Sequence, residues 1–255
     1  MDVSEKTQDE PCQQAVLNVI CLKWGTKYGV EYVNRLYRMV QRHLQRPFRF
    51  YCLTENASGL TPGINVLPLE TSAELSGWWY KLALFKADFF GLQGQLLYLD
   101  LDLVIVNDID FLCDTPGDFL IIRNWSRNTM WNSSVMRFRI GDYADIWQKF
   151  AKDPQHVMAT CSSDQEWIYA CVPDAQTWPE DKIVSYKKSL DSKAFPLLEK
   201  LGARRLGLKA PMRLDTPLPE AAAIVVFHGK PDPEDVATAP YGLWKRASFV
   251  ERCWN

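Results

Sequence analysis

Apolar positions along the chain alternate between two periods. Residues 15–22 are mostly apolar and predict a buried strand. Val33, Leu36, Tyr37, Val40 and Leu44 follow at i, i+3, i+4, i+7 and i+11, the stripe of an amphipathic helix that closes before Pro47. Residues 48–53 and 64–67 predict a second and a third strand. Trp78, Leu82, Phe85 and Phe89 recur at helical spacing, and Gly91 stops that run. The apolar stretch 96–99 reads as a strand running straight into Asp100. Asp142 is placed to cap a helix bearing Tyr143, Ile146, Trp147 and Phe150, which Pro154 ends. Residues 222–227 form another buried run, which delivers His228. Strands alternating with helices predict an α/β fold with a largely parallel sheet flanked by helices. Regularity falls after Thr177, where the chain is rich in proline and lysine.

Composition narrows this picture. With 255 residues, 29 Lys+Arg against 31 Asp+Glu and a net charge of −2, the chain suits one domain and lacks the basic excess of a nucleic-acid coat. It contains no apolar run of about 18 residues, so no membrane-spanning helix is expected. Residues 1–14 are polar and acidic. They read as a flexible tail rather than a secretory signal. The seven cysteines are odd in number and no pair has CxxC spacing, so neither a disulfide framework nor a zinc site is expected. Reduced thiols and a cytoplasmic location follow from that reading.

The near-zero charge is assembled from blocks. Residues 87–122 carry seven aspartates and no Lys or Arg, residues 121–141 carry four arginines and no acid, and residues 182–213 carry nine Lys/Arg against Asp191 and Glu199. The strongest chemical signal sits in the acidic block, at Asp100-Leu101-Asp102. Alternation puts both carboxylates on one side where the strand leaves the sheet, which is where open α/β sheets bind ligands. With no Lys or Arg nearby in sequence, a divalent cation is the economical partner for the pair. His228, in the turn His228-Gly229-Lys230-Pro231, is a candidate third ligand. Two carboxylates and an imidazole suit Mn²⁺, whereas Mg²⁺ prefers oxygen alone. Asp164, Gln165 and Glu166 open an apparent helix capped by Ser162 or Ser163, a placement the helix dipole alone would favour. Asn132-Ser133-Ser134 enters a strand after a loop, and Lys81 reads on its own as a solvated lysine.

Taken in order, these segments resemble the retaining glycosyltransferases of family 8 and its bacterial relatives. Lys81, Asp100-Leu101-Asp102, Asn132-Ser133-Ser134, Asp164-Gln165-Glu166 and His228-Gly229-Lys230-Pro231 match that family's pattern over roughly residues 15–231. Trp131 stands where the family has phenylalanine, and the His–Lys–Pro segment is compressed. The resemblance implies a GT-A fold, Rossmann-like, over residues 15–255. Residues 15–110 would form the nucleotide-sugar half, 111–231 the acceptor half with the metal histidine, and 232–255 a C-terminal extension. It implies Mn²⁺, with Mg²⁺ as the alternative, held by Asp100, Asp102 and His228 on the diphosphate of a nucleotide-sugar donor. Lys81, Asn132 and Asp164 would contact the donor sugar, Gln165 would lie beside the anomeric carbon, and Lys230 would meet the diphosphate. Tyr28, Cys21 and Leu22 would sit near the nucleotide base.

The implied reaction moves the sugar to a hydroxyl of a glycan, lipid-linked or protein acceptor, with no nucleic-acid partner. Gln165 is a poor nucleophile because an amide is neutral and weakly basic, which leaves Asp164 or Glu166 as the nucleophile of a covalent route; a front-face route with retention, with Gln165 stabilising positive charge at the anomeric carbon, is favoured over it. The block 182–213 is a candidate surface for an anionic acceptor or for peripheral contact with the inner face of the membrane. Two rival readings remain open. One is a phosphohydrolase of the haloacid dehalogenase type using Asp100 and Asp102. The other is a non-catalytic sugar- or nucleotide-binding module.

Overall fold

The computed structural model describes residues 16–71, 75, 77–127, 129–196 and 207–255. Seven strands form the central sheet: β1 (Leu17–Lys23), β2 (Phe48–Thr54), β3 (Ile64–Pro68), β4 (Gln95–Leu99), β6 (Phe119–Arg123), β7 (Trp131–Arg139) and β8 (Gln176–Thr177). Their order is β3-β2-β1-β4-β7-β6-β8. All neighbours are parallel except β7, which runs antiparallel to both β4 and β6. The carboxyl ends of β1, β2, β4, β6 and β8 therefore share one edge.

Every position of β1 is buried, because both faces of the sheet are covered. Val19 and Cys21 pack toward helix α1 (Val30–His43), whose Val33, Leu36 and Val40 meet them as the helical spacing predicts. Ile20 and Leu22 point to the other face and join Leu82, Phe85, Ile146, Phe150 and Ile168. The helix bearing Ile146 spans Ala144–Lys152 and its N-cap is Tyr143, so Asp142 lies one residue outside the capping position.

A second, three-stranded sheet runs β5 (Leu103–Ile105), β10 (Ile224–Val226), β9 (Ile183–Ser185). Strand β10 is antiparallel to β5, with Val226 opposite Leu103. The Phe227 N–H then donates to the Asp102 carbonyl at 2.9 Å. This pairing brings the His228 turn beside the Asp100–Asp102 turn across more than a hundred residues of sequence. Residues 232–255 pack back onto the body. Val236, Phe249, Val250 and Trp254 belong to the same core as α1. Among the described residues, no helix is long and apolar enough to cross a membrane, and Cys21, Cys52, Cys113, Cys161, Cys171 and Cys253 are free thiols. The tail 1–14 lies outside the described residues.

One basic residue is spent wholly on the fold. The buried Arg137 guanidinium donates to the carbonyls of Leu112, Cys113, Thr115 and Gly117 at 2.7–2.9 Å. It closes the end of the short helix Phe111–Asp114, where the free carbonyls of a helix terminus favour a cation. Arg137→Met leaves those acceptors unpaired. The expected cost is about 3 kcal/mol, which corresponds to a melting temperature roughly 6–12 °C lower. A shift under about 2 °C in a thermal melt would contradict this account.

Candidate active site

At the shared carboxyl edge of β1 and β4 lies a cleft of ≈ 500 Å³, within the range of small-molecule sites. Asp100, Asp102, Lys81, Asp164, Gln165, Tyr28, Leu22 and His228 all line it. The turn Asp100–Asp102 links β4 to β5, and the Asp100 N–H donates to the Ser134 carbonyl of β7 at 2.8 Å. Between β6 and β7 the register shifts: Ile121 faces Met136, but Ile122 faces Asn132. The intervening residues of β7 form a bulge, which frees Ser133 for side-chain bonding and sets Ser134 in the cleft wall.

Lys81 is the centre of the charged network, and it is only 4% exposed. The segment Gly77–Phe85 is a 3-10 helix, in which residues three apart eclipse. Trp78, 52% exposed, and Lys81 therefore present one face to the cleft, while Trp79, Leu82 and Phe85 enter the core. The Lys81 Nζ lies 3.0 Å from Asp100 Oδ1 and 3.8 Å from Asp164 Oδ2. It also donates to Ser133 Oγ at 3.0 Å. The Tyr98 hydroxyl donates to Asp100 Oδ1 at 2.6 Å, and Ser133 Oγ donates to Asp164 Oδ2 at 2.6 Å. Burial opposes the ammonium charge, but Asp100 and Asp164 outweigh it and the Lys81 pKa is raised. Burial wins at Asp164, whose pKa is raised despite Lys81 and Ser133.

The helix Asp164–Cys171 carries Asp164 and Gln165 into the cleft from its first turn. Its N-cap is Ser163, without a side-chain cap bond. Glu166 instead reaches back, and its carboxylate accepts from the Ser162 N–H and hydroxyl at 2.8 and 2.7 Å. Glu166 thus fixes the helix start rather than facing the cleft.

Asp102 has a different environment. It is 9% exposed and accepts from the Tyr28 hydroxyl at 2.9 Å. Burial and the neighbouring Asp100 push its pKa up to about 7, against the pull of Tyr28, Lys27 and Lys81. The pair is short of positive charge, which suits a divalent cation. His228 stacks flat on Trp125 with ring centroids 5.6 Å apart. Burial, with Lys187 and Lys188, lowers its pKa to about 4, so the ring is neutral near pH 7. Its Nε2 lies 2.7 Å from Ser185 Oγ. That oxygen already accepts from the Lys187 and Lys188 N–H groups, which leaves the hydroxyl proton for Nε2. Among the described residues, no three His, Cys, Asp or Glu side chains converge at metal-ligand spacing. The two carboxylates fit a hard cation, and His228 could join them by exchanging its Ser185 bond.

Three residues to which the family resemblance gives a ligand-binding role lie outside the cleft lining. Cys21 is fully buried on the opposite face of β1 from Leu22. Asn132 is buried and its Oδ1 accepts from the Ser134 N–H at 3.1 Å, shaping the bulge. Lys230 turns away to Asp232 and Asp235, at 2.9 and 2.8 Å. Lys187, in the basic block 182–213, instead donates to the carbonyls of His228 and Gly229 at 2.5 and 2.6 Å and holds that turn. Trp24 and Lys27 complete the rim near Tyr28. Neither had a pattern to mark it, since both sit in an irregular loop.

No protein-family model and no curated protein matches this sequence. Solved structures do match. A galactosyltransferase, LgtC, in complex with donor and acceptor sugar analogues, aligns with a TM-score of 0.54 at 12% identity, over 85% of this chain and 88% of that one. The glycosyltransferase GlyE of Streptococcus pneumoniae TIGR4 aligns with a TM-score of 0.56 at 14% identity, over 87% of this chain and 57% of that one. Its apo form gives 0.55 and 14%, over 88% and 57%. This chain thus spans little more than half the length of GlyE. At these identities the likeness establishes the fold, the GT-A arrangement of a mostly parallel sheet flanked by helices.

Proposed function

We propose that the protein is a metal-dependent glycosyltransferase that moves a sugar from a nucleotide-diphosphate sugar to an acceptor hydroxyl, with retention of configuration. The acceptor would be a glycan, lipid-linked or protein group in glycan or cell-surface polysaccharide synthesis. One observation carries this reading. The under-compensated pair Asp100 and Asp102 shares a ≈ 500 Å³ cleft at the strand carboxyl ends with the buried Lys81–Asp164 pair and the indoles of Trp24 and Trp78. The neighbouring structures, both glycosyltransferases, support it at the level of the fold.

Asp100 and Asp102, with His228 as third ligand, would hold Mn²⁺ or Mg²⁺, which supplies neutralisation of the charge developing on a departing diphosphate. Lys81 and Tyr98 fix the Asp100 carboxylate, so the cation-binding oxygens are set before substrate arrives. Ser133 and Lys81 likewise fix Asp164 as an acceptor for a donor-sugar hydroxyl. Gln165, next in the helix, offers an amide oxygen toward positive charge at the anomeric carbon without acting as a nucleophile. The indoles of Trp24 and Trp78 offer apolar faces to base or sugar.

A thermal-shift screen of nucleotide sugars with and without Mn²⁺ tests the reading. Ligand at a hundredfold excess over Kd stabilises by about 2.7 kcal/mol, roughly 5–10 °C here. The expected hit needs the metal. If the whole panel is inert, or if stabilisation is the same without metal, the proposal fails.

A further inference from the structure

His228 lines the cleft with Asp100 and Asp102, yet its Nε2 is engaged by Ser185, which does not line it. We infer that Ser185 is a specificity-determining residue for the cation: it competes for the His228 lone pair, so the site offers oxygen ligands first and imidazole only in exchange for a buried hydrogen bond. This role rests on the metal-dependent reading of the cleft, and it adds a residue of β9 to that site.

Three observations carry it. The first is the hydrogen-bond count at Ser185. A serine hydroxyl has one proton and two lone pairs. Both lone pairs of Ser185 Oγ are taken, by the Lys187 N–H at 3.3 Å and the Lys188 N–H at 3.2 Å. Its proton therefore goes to His228 Nε2, 2.7 Å away. The second is the valence of the ring. A neutral imidazole carries one N–H and one lone pair. Here the lone pair is on Nε2 and Ser185 holds it, so the proton is on Nδ1 and no nitrogen is left for a cation. A ligating histidine normally does the reverse: it keeps its lone pair for the metal and gives its N–H to a neighbouring acceptor.

The third is rigidity. Ser185 is fully buried at the end of β9, in register with Val226 of β10. The Ser189 N–H donates to its carbonyl at 2.9 Å, and the Ser189 hydroxyl accepts its N–H at 3.0 Å. The Trp125 indole lies within 12° of parallel to the His228 ring. The hydroxyl is thus fixed opposite the ring, and the nitrogen becomes available only when their bond breaks. Asp100 and Asp102 alone are an oxygen donor set, which suits Mg²⁺ and Mn²⁺ alike, whereas an added imidazole favours Mn²⁺. Ser185 thereby narrows the gap between the two ions.

The test measures metal binding to the full chain without donor. Electron paramagnetic resonance reports free Mn²⁺, Mg²⁺ serves as competitor, and pulsed measurements report nitrogen coupling to bound Mn²⁺. Ser185→Ala is expected to bind Mn²⁺ about tenfold tighter, the worth of one hydrogen bond, and Mg²⁺ less than about twofold tighter. The nitrogen coupling should grow in parallel. In a His228→Ala background, Ser185→Ala should change neither. A purely structural role for Ser185 would weaken both ions together. Ser185→Cys keeps the size of the side chain and replaces the hydroxyl by a weak donor. It should move the ratio of the two affinities in the same direction, and it serves where metal-free melting temperatures show that alanine loosens the turn. An unchanged or lowered preference for Mn²⁺ in the folded variants, absence of nitrogen coupling from them, or a tightening that survives without His228 would each overturn the role of Ser185. A wild-type chain that binds neither ion would sink the metal reading itself. A chain whose metal binding is the same in wild type and variants would sink the role of Ser185 alone.

Discussion

Lys81→Met is expected to cost about 3–5 kcal/mol of stability, a drop of roughly 6–20 °C in melting temperature. It is also expected to abolish donor turnover. The reason is the geometry around one ammonium group. Lys81 Nζ serves Asp100 at 3.0 Å and Asp164 at 3.8 Å, and Lys81 and Asp164 are almost wholly excluded from water. Methionine matches the stem but leaves the buried Asp164 carboxyl without its ammonium partner, with Ser133 and the Gln165 N–H still donating to it. A buried charge without its partner is far worse than no charge at all. Asp164→Asn in the same background should therefore recover part of the loss, with a coupling of roughly 1–3 kcal/mol in a double-mutant cycle. Turnover should stay lost in both, because the donor sugar would lack its fixed acceptor. Additive melting shifts, or a Lys81→Met protein as stable as wild type, would show that the network is not the structural centre described above.

Lys81 also shows where the sequence stops being legible. Its neighbours Trp78, Leu82, Phe85 and Phe89 recur as an α-helical stripe would, and a lysine off that stripe reads as solvated. The segment is instead a 3-10 helix, and its three-residue repeat turns Trp78 and Lys81 together toward the cleft. The same contrast explains the carboxylate pair. Along the sequence Asp100 has no cation near it. In space a cation nineteen positions earlier touches it, while the carboxyl of Asp102 beside it is held up by burial and by Asp100. By contrast β1, α1, β2 and β4 were readable, since each buries a face whose period is set by its own residues. The His228 turn was readable for a related reason: an apolar run ending in a polar residue marks a strand end, and strand ends in this architecture face ligands.

The charge blocks resolve mostly into local structure. Of the seven aspartates, Asp88 and Asp108 accept backbone N–H groups in turns. Asp110 accepts from the Gln45 N–H, and Asp114 pairs with Arg46. Only Asp100 and Asp102 line the cleft. In the following basic block, Arg137 closes a helix end and Arg123 is paired with Glu180. In the third block, Lys187 holds the His228 turn, while residues 197–206, with Arg204 and Arg205, lie outside the described residues. None of this could be read from composition, because a hydrogen bond to a backbone carbonyl leaves no mark in the sequence.

Asp102→Asn should part stability from function in the opposite way to Lys81→Met. Asp102 is buried beside Asp100, and both effects push its carboxyl up to about 7. A carboxyl whose pKa is raised on folding destabilises the folded state above its unfolded value, near 3.9. At neutral pH asparagine removes that repulsion and can still accept from the Tyr28 hydroxyl. The metal-free variant is therefore expected to melt at or above the wild-type temperature, by roughly 2–4 °C for each kcal/mol of repulsion relieved. Nucleotide release from the donor should nonetheless fall on the order of 10³-fold, since a neutral amide is a poor ligand for a hard cation. Mn²⁺ should raise the melting temperature of the wild type and leave that of the variant in place. This combination separates a site kept for chemistry from one kept for the fold, because natural sites trade stability for function. An Asp102→Asn protein that melts early, or that still gains stability from Mn²⁺, would remove Asp102 from the cation site and with it the main support for the proposed reaction.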